Sequence, residues 1–279
     1  MRSNQFSVEK VILMILLVVY AAFVIIPIVV VLYNSFKGNL FITDNPFALP
    51  SEESFSGFSN YVLGLHRTDF FHAFFYTVWV TCASVILIVI FNSMLAYYIT
   101  RVKNIISKVV FFLLVFSMVV PFQMVMYPMS KFANMIHLDN LLGVVILYIG
   151  FGTGLSTFMF SGFIKSIPTS MDEAAFIDGA TTRCTFFHII FPMLKSISIT
   201  IAILNTMWIW NDYLLPYLTI GTEYRTIQVA IQYLRGGYGF VDMGAMMAML
   251  VLAMIPVIVF YLICQKNIIQ GVLAGAIKE

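Results

Sequence analysis

Long apolar runs alternate with short polar segments along the whole chain. Six of these runs are long enough to cross a hydrocarbon core of about 30 Å as helices that rise about 1.5 Å per residue. Backbone polar groups in lipid must be satisfied within each segment, and the runs are too long for tilted barrel strands. The pattern therefore predicts an all-α integral membrane protein with a single transmembrane domain over residues 1–279. The predicted spans are residues 11–32, 72–99, 109–129, 141–163, 197–220 and 244–264.

Three local features refine this pattern. The first run follows Arg2 and Lys10, exceeds the apolar core of a signal peptide and has no A-x-A-like cleavage site after it, so we expect it to remain as a span. Residues 37–69 are rich in turn formers and predict an exposed loop. Prolines inside the runs should kink the helices, and Pro121 is the strongest candidate.

Composition agrees with a membrane protein, because 61% of the residues are hydrophobic, 10% are charged and the mean hydropathy is +0.96. The net charge of +2 is small and the basic residues are scattered, so no nucleic-acid partner is expected. The three cysteines are widely separated and the four histidines lack metal-ligand spacing, so we expect neither disulfides nor a metal site.

The distribution of Lys and Arg predicts the orientation of the chain in the membrane. With the N-terminus inside, the cytoplasmic segments hold ten basic residues: Arg2, Lys10, Arg101, Lys103, Lys108, Lys165, Arg183, Lys195, Lys266 and Lys278. The outer segments then hold five: Lys37, Arg67, Lys131, Arg225 and Arg235. Because positive charge concentrates on the cytoplasmic side, we expect both termini to be cytoplasmic.

No residue pattern indicates catalysis. The sequence contains no G-x-x-x-x-G-K-[ST] phosphate-binding loop, and no Ser, Cys or Asp constellation indicates a nucleophile in the apolar runs. We therefore expect no catalytic residues and no cofactor in this chain, and an energy source outside it. A secondary transporter would carry ionisable groups at mid-membrane, and Asp212 is the nearest candidate.

The most polar insertion in the second half, residues 165–195, connects the fourth and fifth spans. Ser170 and Glu173 have the spacing of a capping box, which predicts that a helix begins at Ser170. Gly179 is expected to end that helix, and the adjacent Ala174 and Ala175 predict a thin face for close packing of another protein. The alternative is an ordinary solvated connector between two membrane helices.

The fifth span differs from the others because it mixes aromatic and amide side chains. Polar side chains in a span usually face the bundle interior or a water-filled cavity. Amides and a carboxylate beside aromatic faces also suit the hydroxyls and CH faces of a neutral sugar. We therefore predict a translocation path that includes Gln123, Asn205, Trp210, Asn211 and Asp212. For Trp208 and Tyr213 the alternative is an aromatic belt at the outer interface.

These motifs resemble a known family. The spacing Glu173-Ala174-Ala175, Gly179, Ile189, Phe191-Pro192 resembles the EAA loop of binding-protein-dependent ABC transporter permeases, with Phe191 at a position where Leu is usual. Three further segments resemble the maltose-type sugar permeases: Val120-Pro121-Phe122-Gln123, the run from Trp210 to Pro216, and the tail from Gly271 to Glu279. Residues 102–107 depart from the family, which often has a Phe-Pro-Gly turn there.

The resemblance implies a type I ABC importer permease, with six transmembrane helices and a cytoplasmic coupling helix, in the cytoplasmic membrane of a prokaryote. Its implied partners are a second homologous permease, two copies of a cytoplasmic ATPase that bind the ATP, an extracytoplasmic sugar-binding protein, the sugar and membrane lipid. The implied ATPase-coupling residues are Ser170, Glu173, Ala174, Ala175, Asp178 and Gly179. The alternatives are an ABC permease for another solute, a secondary transporter, and a membrane receptor or scaffold.

Overall fold

The computed structural model describes residues 8–221, 223–234 and 241–276, and over these residues the backbone is built from helices. An isolated antiparallel bridge joins Lys37 to Phe55. A single π-helical turn covers Phe186–Ile190. In chain order the α-helices are α1 (Val8–Asn34), α2 (Asn39–Asp44), α3 (Ser59–Thr68), α4 (Phe70–Arg101), α5 (Ile105–Ser117), α6 (Phe122–Met135), α7 (Leu141–Ile164), α8 (Ser170–Ile177), α9 (Thr182–Thr185), α10 (Phe191–Met193), α11 (Lys195–Asn211), α12 (Leu214–Thr219), α13 (Ile227–Gln232) and α14 (Met243–Ala276).

Within the described residues, four helices are long and apolar enough to cross a membrane: Lys10–Asn34, Phe70–Arg101, Leu141–Ile164 and Met243–Lys266. They contain the predicted spans 11–32, 72–99, 141–163 and 244–264. Two bent helix pairs bring the number to six if each pair counts as one span. The all-α fold class is therefore confirmed, whereas the other two predicted spans are not continuous helices.

The predicted span 109–129 is broken near Pro121. Helix α5 ends at Ser117, α6 begins at Phe122, and the two axes differ by 109°. Proline has no backbone N–H to donate and drives the residue before it out of the α conformation, so a helix cannot continue through Val120-Pro121. Pro121 itself has an extended ψ of 136° and precedes α6. The predicted kink is thus a complete break with a sharp change of direction.

The predicted span 197–220 ends earlier than expected. Helix α11 stops at Asn211, because Asp212 takes an extended conformation (φ −76°, ψ 129°) and its carboxylate accepts the backbone N–H of Leu214 at 3.0 Å. Helix α12 begins at Leu214. At its other end, α11 is bent by 76° from the segment Thr182–Met193.

The described residues form two compact units. The first comprises those of Met1–Phe70 and Ala230–Pro256. In it, the Lys37 side chain is buried, and its ammonium donates to the carbonyl oxygens of Asn45 and Ala48 at 2.8 and 2.9 Å. Burial lowers the pKa of this ammonium. An ion pair of 2.6 Å between Arg67 and Asp242 ties α3 to the segment before α14.

The second unit comprises the described residues of Phe71–Val229 and Val257–Glu279. Its core is a cluster of buried side chains from α4, α7 and α11, including Ile88, Tyr148 and Ile201. Helix α7 also packs closely on α5, because a Cβ on Gly154 would lie 2.9 Å from the carbonyl oxygen of Leu114. Close approach through small residues is a common way of packing membrane helices. The prediction of one domain over the whole chain stays a prediction.

Several predictions fall outside the described residues. They concern the cytoplasmic placement of Arg2 and Lys278, the outer placement of Arg235, and the last three residues of the family-like tail.

Candidate translocation cavity and coupling helix

Helix α8 begins without the predicted capping box. Its N-cap residue is Thr169, which is itself helical (φ −65°, ψ −23°), and no side chain caps the helix. The N–H groups of Met171 and Asp172 donate instead to the carbonyl oxygens of Pro168 and Thr169 at 3.2 and 3.0 Å. The first turn of α8 is thus closed by backbone carbonyl groups of the two residues before the helix. The capping-box prediction for Ser170 and Glu173 is therefore wrong.

The end of α8 agrees with the sequence prediction. Gly179 has φ +82°, its N–H donates to Phe176 O at 3.1 Å, and the N–H of Ala180 donates to Ala175 O at 2.9 Å. This pair of bonds is a Schellman motif, in which a left-handed residue reverses the chain and satisfies the last carbonyl groups. No atom lies within 4 Å of a Cβ built on Gly179, so the glycine serves the backbone conformation and not close packing within this chain.

The two faces of α8 have different environments. Asp172 and Ala175 are buried and face the rest of this chain. Ala175 is therefore not part of a surface for another protein, contrary to the predicted thin face. The outer face carries exposed side chains, both polar and apolar: Ser170, Met171, Glu173, Ala174, Phe176, Ile177 and Asp178. Ile177 is 85% exposed and adjoins the exposed Phe176, and contiguous apolar residues on a surface are typical of a contact site. The sequence prediction missed this apolar component.

Asp172 lies at the centre of a polar cluster that the sequence did not indicate. Its Oδ1 accepts the Tyr97 hydroxyl at 2.6 Å, and its Oδ2 lies 2.9 Å from Arg101 Nε. The second contact is an ion pair without hydrogen-bond geometry. Arg101 Nη2 also donates to Ile167 O at 3.1 Å. We call Tyr97, Arg101 and Asp172 the Asp172 cluster; its charged side chains are only 15% and 8% exposed.

A cavity of about 520 Å³ lies beside this cluster. Its walls are mostly apolar and come from α4, from α8 and from the segment that begins with α9. The lining residues are Met94, Tyr97, Tyr98, Arg101, Val102, Thr169, Asp172, Glu173, Phe176, Thr182, Arg183, Phe186 and Phe187. Of the predicted coupling residues, Glu173 reaches this cavity.

A second cavity, of about 320 Å³, lies among α5, α6, α7 and α11, at the break in the third span. Asn205 lines it and is buried, with its amide donating to Ser156 Oγ at 3.2 Å and to Ile201 O at 2.9 Å. A Cβ on Gly152 would lie 3.0 Å from Asn205 Oδ1, so a glycine on α7 leaves room for the amide. The lining residues are Ser117, Met118, Val120, Phe122, Phe151, Gly152, Leu155, Leu204, Asn205 and Trp208.

The aromatic wall of this cavity is not the one predicted. Trp210 is buried and packs edge-on against Phe74 at a centroid distance of 6.0 Å, outside the cavity lining. Trp208 lines the cavity instead and meets the Tyr148 ring edge-on at 5.5 Å. Residues three apart on a helix share a face, so Trp208 follows Asn205 and Trp210 does not. Trp208 is therefore the tryptophan beside Asn205 in this cavity, and a sugar-stacking role for Trp210 stays a prediction.

The remaining predicted path residues also lie outside the cavity lining. Gln123 is exposed in the first turn of α6, beside Phe122, whose ring lines the cavity. Asn211 is exposed, and its amide donates to Met207 O at 2.7 Å. Asp212 accepts the Tyr148 hydroxyl at 2.9 Å and ends α11. That the cavity and these residues belong to one translocation path stays a prediction.

Comparison with known proteins shows that this chain matches a protein family and several curated relatives. Residues 89–273 match the family described as binding-protein-dependent transport system inner membrane component. The probable starch degradation products transport system permease protein AmyC of Thermoanaerobacterium thermosulfurigenes is 37% identical over 99% of this chain and 100% of its own. The multiple sugar-binding transport system permease protein MsmG of Streptococcus mutans is 33% identical over 95% of each chain.

One further relative and one solved structure are also similar to this chain. The melibiose/raffinose/stachyose import permease protein MelC of Bacillus subtilis is 32% identical over 82% of this chain and 83% of its own. A chain of a bacterial ABC transporter involved in the import of the acidic polysaccharide alginate matches the fold with a TM-score of 0.77 at 22% identity, covering 95% of this chain and 98% of that one.

Proposed function

This chain belongs to the binding-protein-dependent transport system inner membrane components, and on that basis we propose that it is the permease subunit of an ATP-driven ABC importer for a carbohydrate. It is a multi-pass protein of the cytoplasmic membrane. Its function is transport, and the ATP is hydrolysed by a partner subunit.

The observation that carries the carbohydrate assignment is the cavity that Asn205 and Trp208 line. At about 320 Å³ it is at the lower end of the range for small-molecule pockets, which is about 300–1,000 Å³. Both amide hydrogens of Asn205 are donated within the chain, which leaves its Oδ1 as an acceptor for a sugar hydroxyl, and the Trp208, Phe122 and Phe151 rings offer apolar faces. The names of three relatives refer to starch degradation products, to multiple sugars, and to melibiose, raffinose and stachyose, which supports this substrate class.

The proposed partners are a second, homologous permease, two copies of a cytoplasmic ATPase and an extracytoplasmic sugar-binding protein. The family description names the dependence on a binding protein. The absence of a phosphate-binding loop from the sequence supports a separate ATPase. The exposed face of α8, with Glu173, Ala174 and Ile177, is the proposed contact with that ATPase.

The proposed orientation has both termini and α8 in the cytoplasm, with the loop before α4 outside. The ten-to-five asymmetry of Lys and Arg supports it. In this orientation α8 lies on the side where ATP is available, as its proposed role requires.

A transport assay on the assembled complex tests the substrate class. We expect ATP-dependent uptake of at least one oligosaccharide into reconstituted vesicles. Asn205→Ala should lower its rate about fivefold, since one hydrogen bond to a neutral group contributes about 1 kcal/mol. Asn134→Ala is the matched control, because Asn134 is an exposed amide outside the cavity. ATP-dependent uptake of another solute class, with every sugar excluded, would refute the carbohydrate assignment.

A further inference from the structure

The buried face of α8 is tied to α4 by the Asp172 cluster. The two helices contribute residues that are far apart in sequence, since Tyr97 and Arg101 lie in the last two turns of α4 and Asp172 lies in the first turn of α8. Every polar contact in the cluster joins one helix to the other or to the segment between α7 and α8. The outer face of α8 is meanwhile exposed. Helix α8 therefore has one face held by this chain and one face open to a partner.

Helix α4 also connects the cluster to the wall of the cavity that Asn205 lines. Helix α4 contacts α7 at two buried points, where Ile88 lies against Gly152 and Thr157 Oγ1 lies 3.5 Å from Asn92 Oδ1. Gly152 is itself part of the cavity wall, beside Asn205. All of these residues belong to the same compact unit. A displacement of α8 can therefore reach the cavity wall through one helix, α4, and its packed contacts.

We propose that Asp172 is a positioning residue that makes α8 and α4 move as one body, so that docking of the ATPase on the outer face of α8 changes the cavity wall at Gly152. The proposal rests on the proposed function for the identity of the partner. Arg101 supplies the opposite charge and holds Ile167 O, which fixes the approach to α8. Tyr97 holds the other carboxylate oxygen. With two oxygens held by two residues of α4, the carboxylate cannot rotate without losing one contact.

Packing around the cluster supports this role. The Phe186 ring lies 5.3 Å from the Tyr97 ring, so the segment after α8 also contacts this end of α4. Ala175, one turn after Asp172, is buried on the same face of α8. Glu173 is exposed and lines the same cavity as Asp172, but it takes no part in the contacts between α8 and α4 that the Asp172 carboxylate makes.

The test compares sugar transported per ATP hydrolysed by the full complex in proteoliposomes. We expect Tyr97→Phe and Asp172→Asn to lower this ratio, the second about tenfold, which lies within the range of about 5 to 150-fold that typical coupling energies produce. The ATPase should stay bound and active in both variants. Asp139→Asn is the control, because Asp139 is an exposed carboxylate far along the chain from the cluster. Tyr97→Phe removes one hydroxyl only, so it remains informative if Asp172→Asn does not fold.

A second measurement addresses the anchoring directly, without transport. Hydrogen exchange at the backbone amides of residues 171–174 should accelerate in Asp172→Asn and Tyr97→Phe, while the amides of α7 stay unchanged. The proposal would be overturned if the ratio of sugar transported to ATP hydrolysed were unchanged in both variants. It would also be overturned if uptake fell only in proportion to the amount of folded complex. If wild-type complexes show no ATP-driven uptake, the proposed function fails, and the hydrogen-exchange result alone decides whether Asp172 anchors α8.

Discussion

Gly179 offers the sharpest test of the local structure of α8. Its φ of +82° lies in the left-handed region, and no atom lies within 4 Å of the position that a Cβ would take at this site. A side chain there consequently meets no steric obstacle within this chain, and its cost is that of the backbone conformation. For an L-residue that cost is about 1–2 kcal/mol, and it is higher for a β-branched residue, for which positive φ is a genuine outlier.

The expected order of stability at the C-terminal end of α8 is therefore glycine, then Gly179→Asn, then Gly179→Ala, then Gly179→Val. Asparagine visits the left-handed region more readily than alanine, so it serves as the matched control for adding a side chain. A change of about 1–2 kcal/mol alters the population of the ordered helix end by a factor of about 5–30. Because only the ordered form is competent to bind, the apparent Kd for the ATPase rises by at most the same factor.

The assay is the apparent Kd of the purified ATPase for this chain in nanodiscs, measured together with hydrogen exchange at residues 176–180. We expect Gly179→Ala to raise the Kd by a factor of up to about 5–30, Gly179→Val to raise it further, and Gly179→Asn to raise it least, with membrane insertion unchanged. Equal losses for Asn and Val would refute the reasoning, since they would mean that any side chain collides with the partner. Wild-type affinity for all three variants would refute the role of α8 itself.

Three further predictions concern orientation, the docking face and helix packing. A cysteine placed at Glu53 should react with an impermeant reagent from outside intact cells and one at Ser170 should not; the reverse pattern would invert the topology. Ile177→Ser should weaken ATPase retention about tenfold or more, because burying an isoleucine side chain contributes about 1.5–3 kcal/mol, and unchanged retention would exclude Ile177 from the interface. Gly154→Leu should lower the Tm of the purified chain by several degrees, since a Cβ there already approaches Leu114 O to 2.9 Å, and an unchanged Tm would contradict the close packing of α5 on α7.

Hydrophobic runs are sufficient to predict most of the membrane helices, because the requirement to satisfy backbone groups in lipid leaves few alternatives. They cannot show where a run changes direction. Pro121 is a visible signal for a bend, but the size of the bend, 109°, depends on how α6 packs afterwards. The hydrophobic runs also do not show that α11 ends at Asn211, next to Asp212, whose carboxylate makes a local bond to Leu214.

The candidate site is predictable in part. The Schellman end of α8 follows from Gly179, because a positive φ is a local property of the chain. The start of α8 does not follow from Ser170 and Glu173, because backbone carbonyl groups of Pro168 and Thr169 accept the first N–H groups without a side-chain cap. The ion pair between Arg101 and Asp172 joins residues with no local pattern in common, so one sequence alone contains no signal for it.

The phase of helix α11 explains why Trp208, and not Trp210, lines the cavity. Sequence alone cannot show which side of α11 faces the interior, and it favours Trp210 although Trp208 lines the cavity. The buried contact of the Asn205 amide to Ser156 shows that this side of α11 faces α7.

If this chain forms a transport path that is powered by a separate ATPase, sugar accumulation must depend on every other component of the importer. The most direct measurement is sugar accumulation in proteoliposomes reconstituted with this chain and its proposed partners, with one component left out at a time. We expect accumulation only when the second permease, the ATPase, the binding protein and ATP on the cytoplasmic side are all present. Accumulation by this chain alone, driven by an ion gradient and independent of ATP, would show that it is a secondary transporter instead.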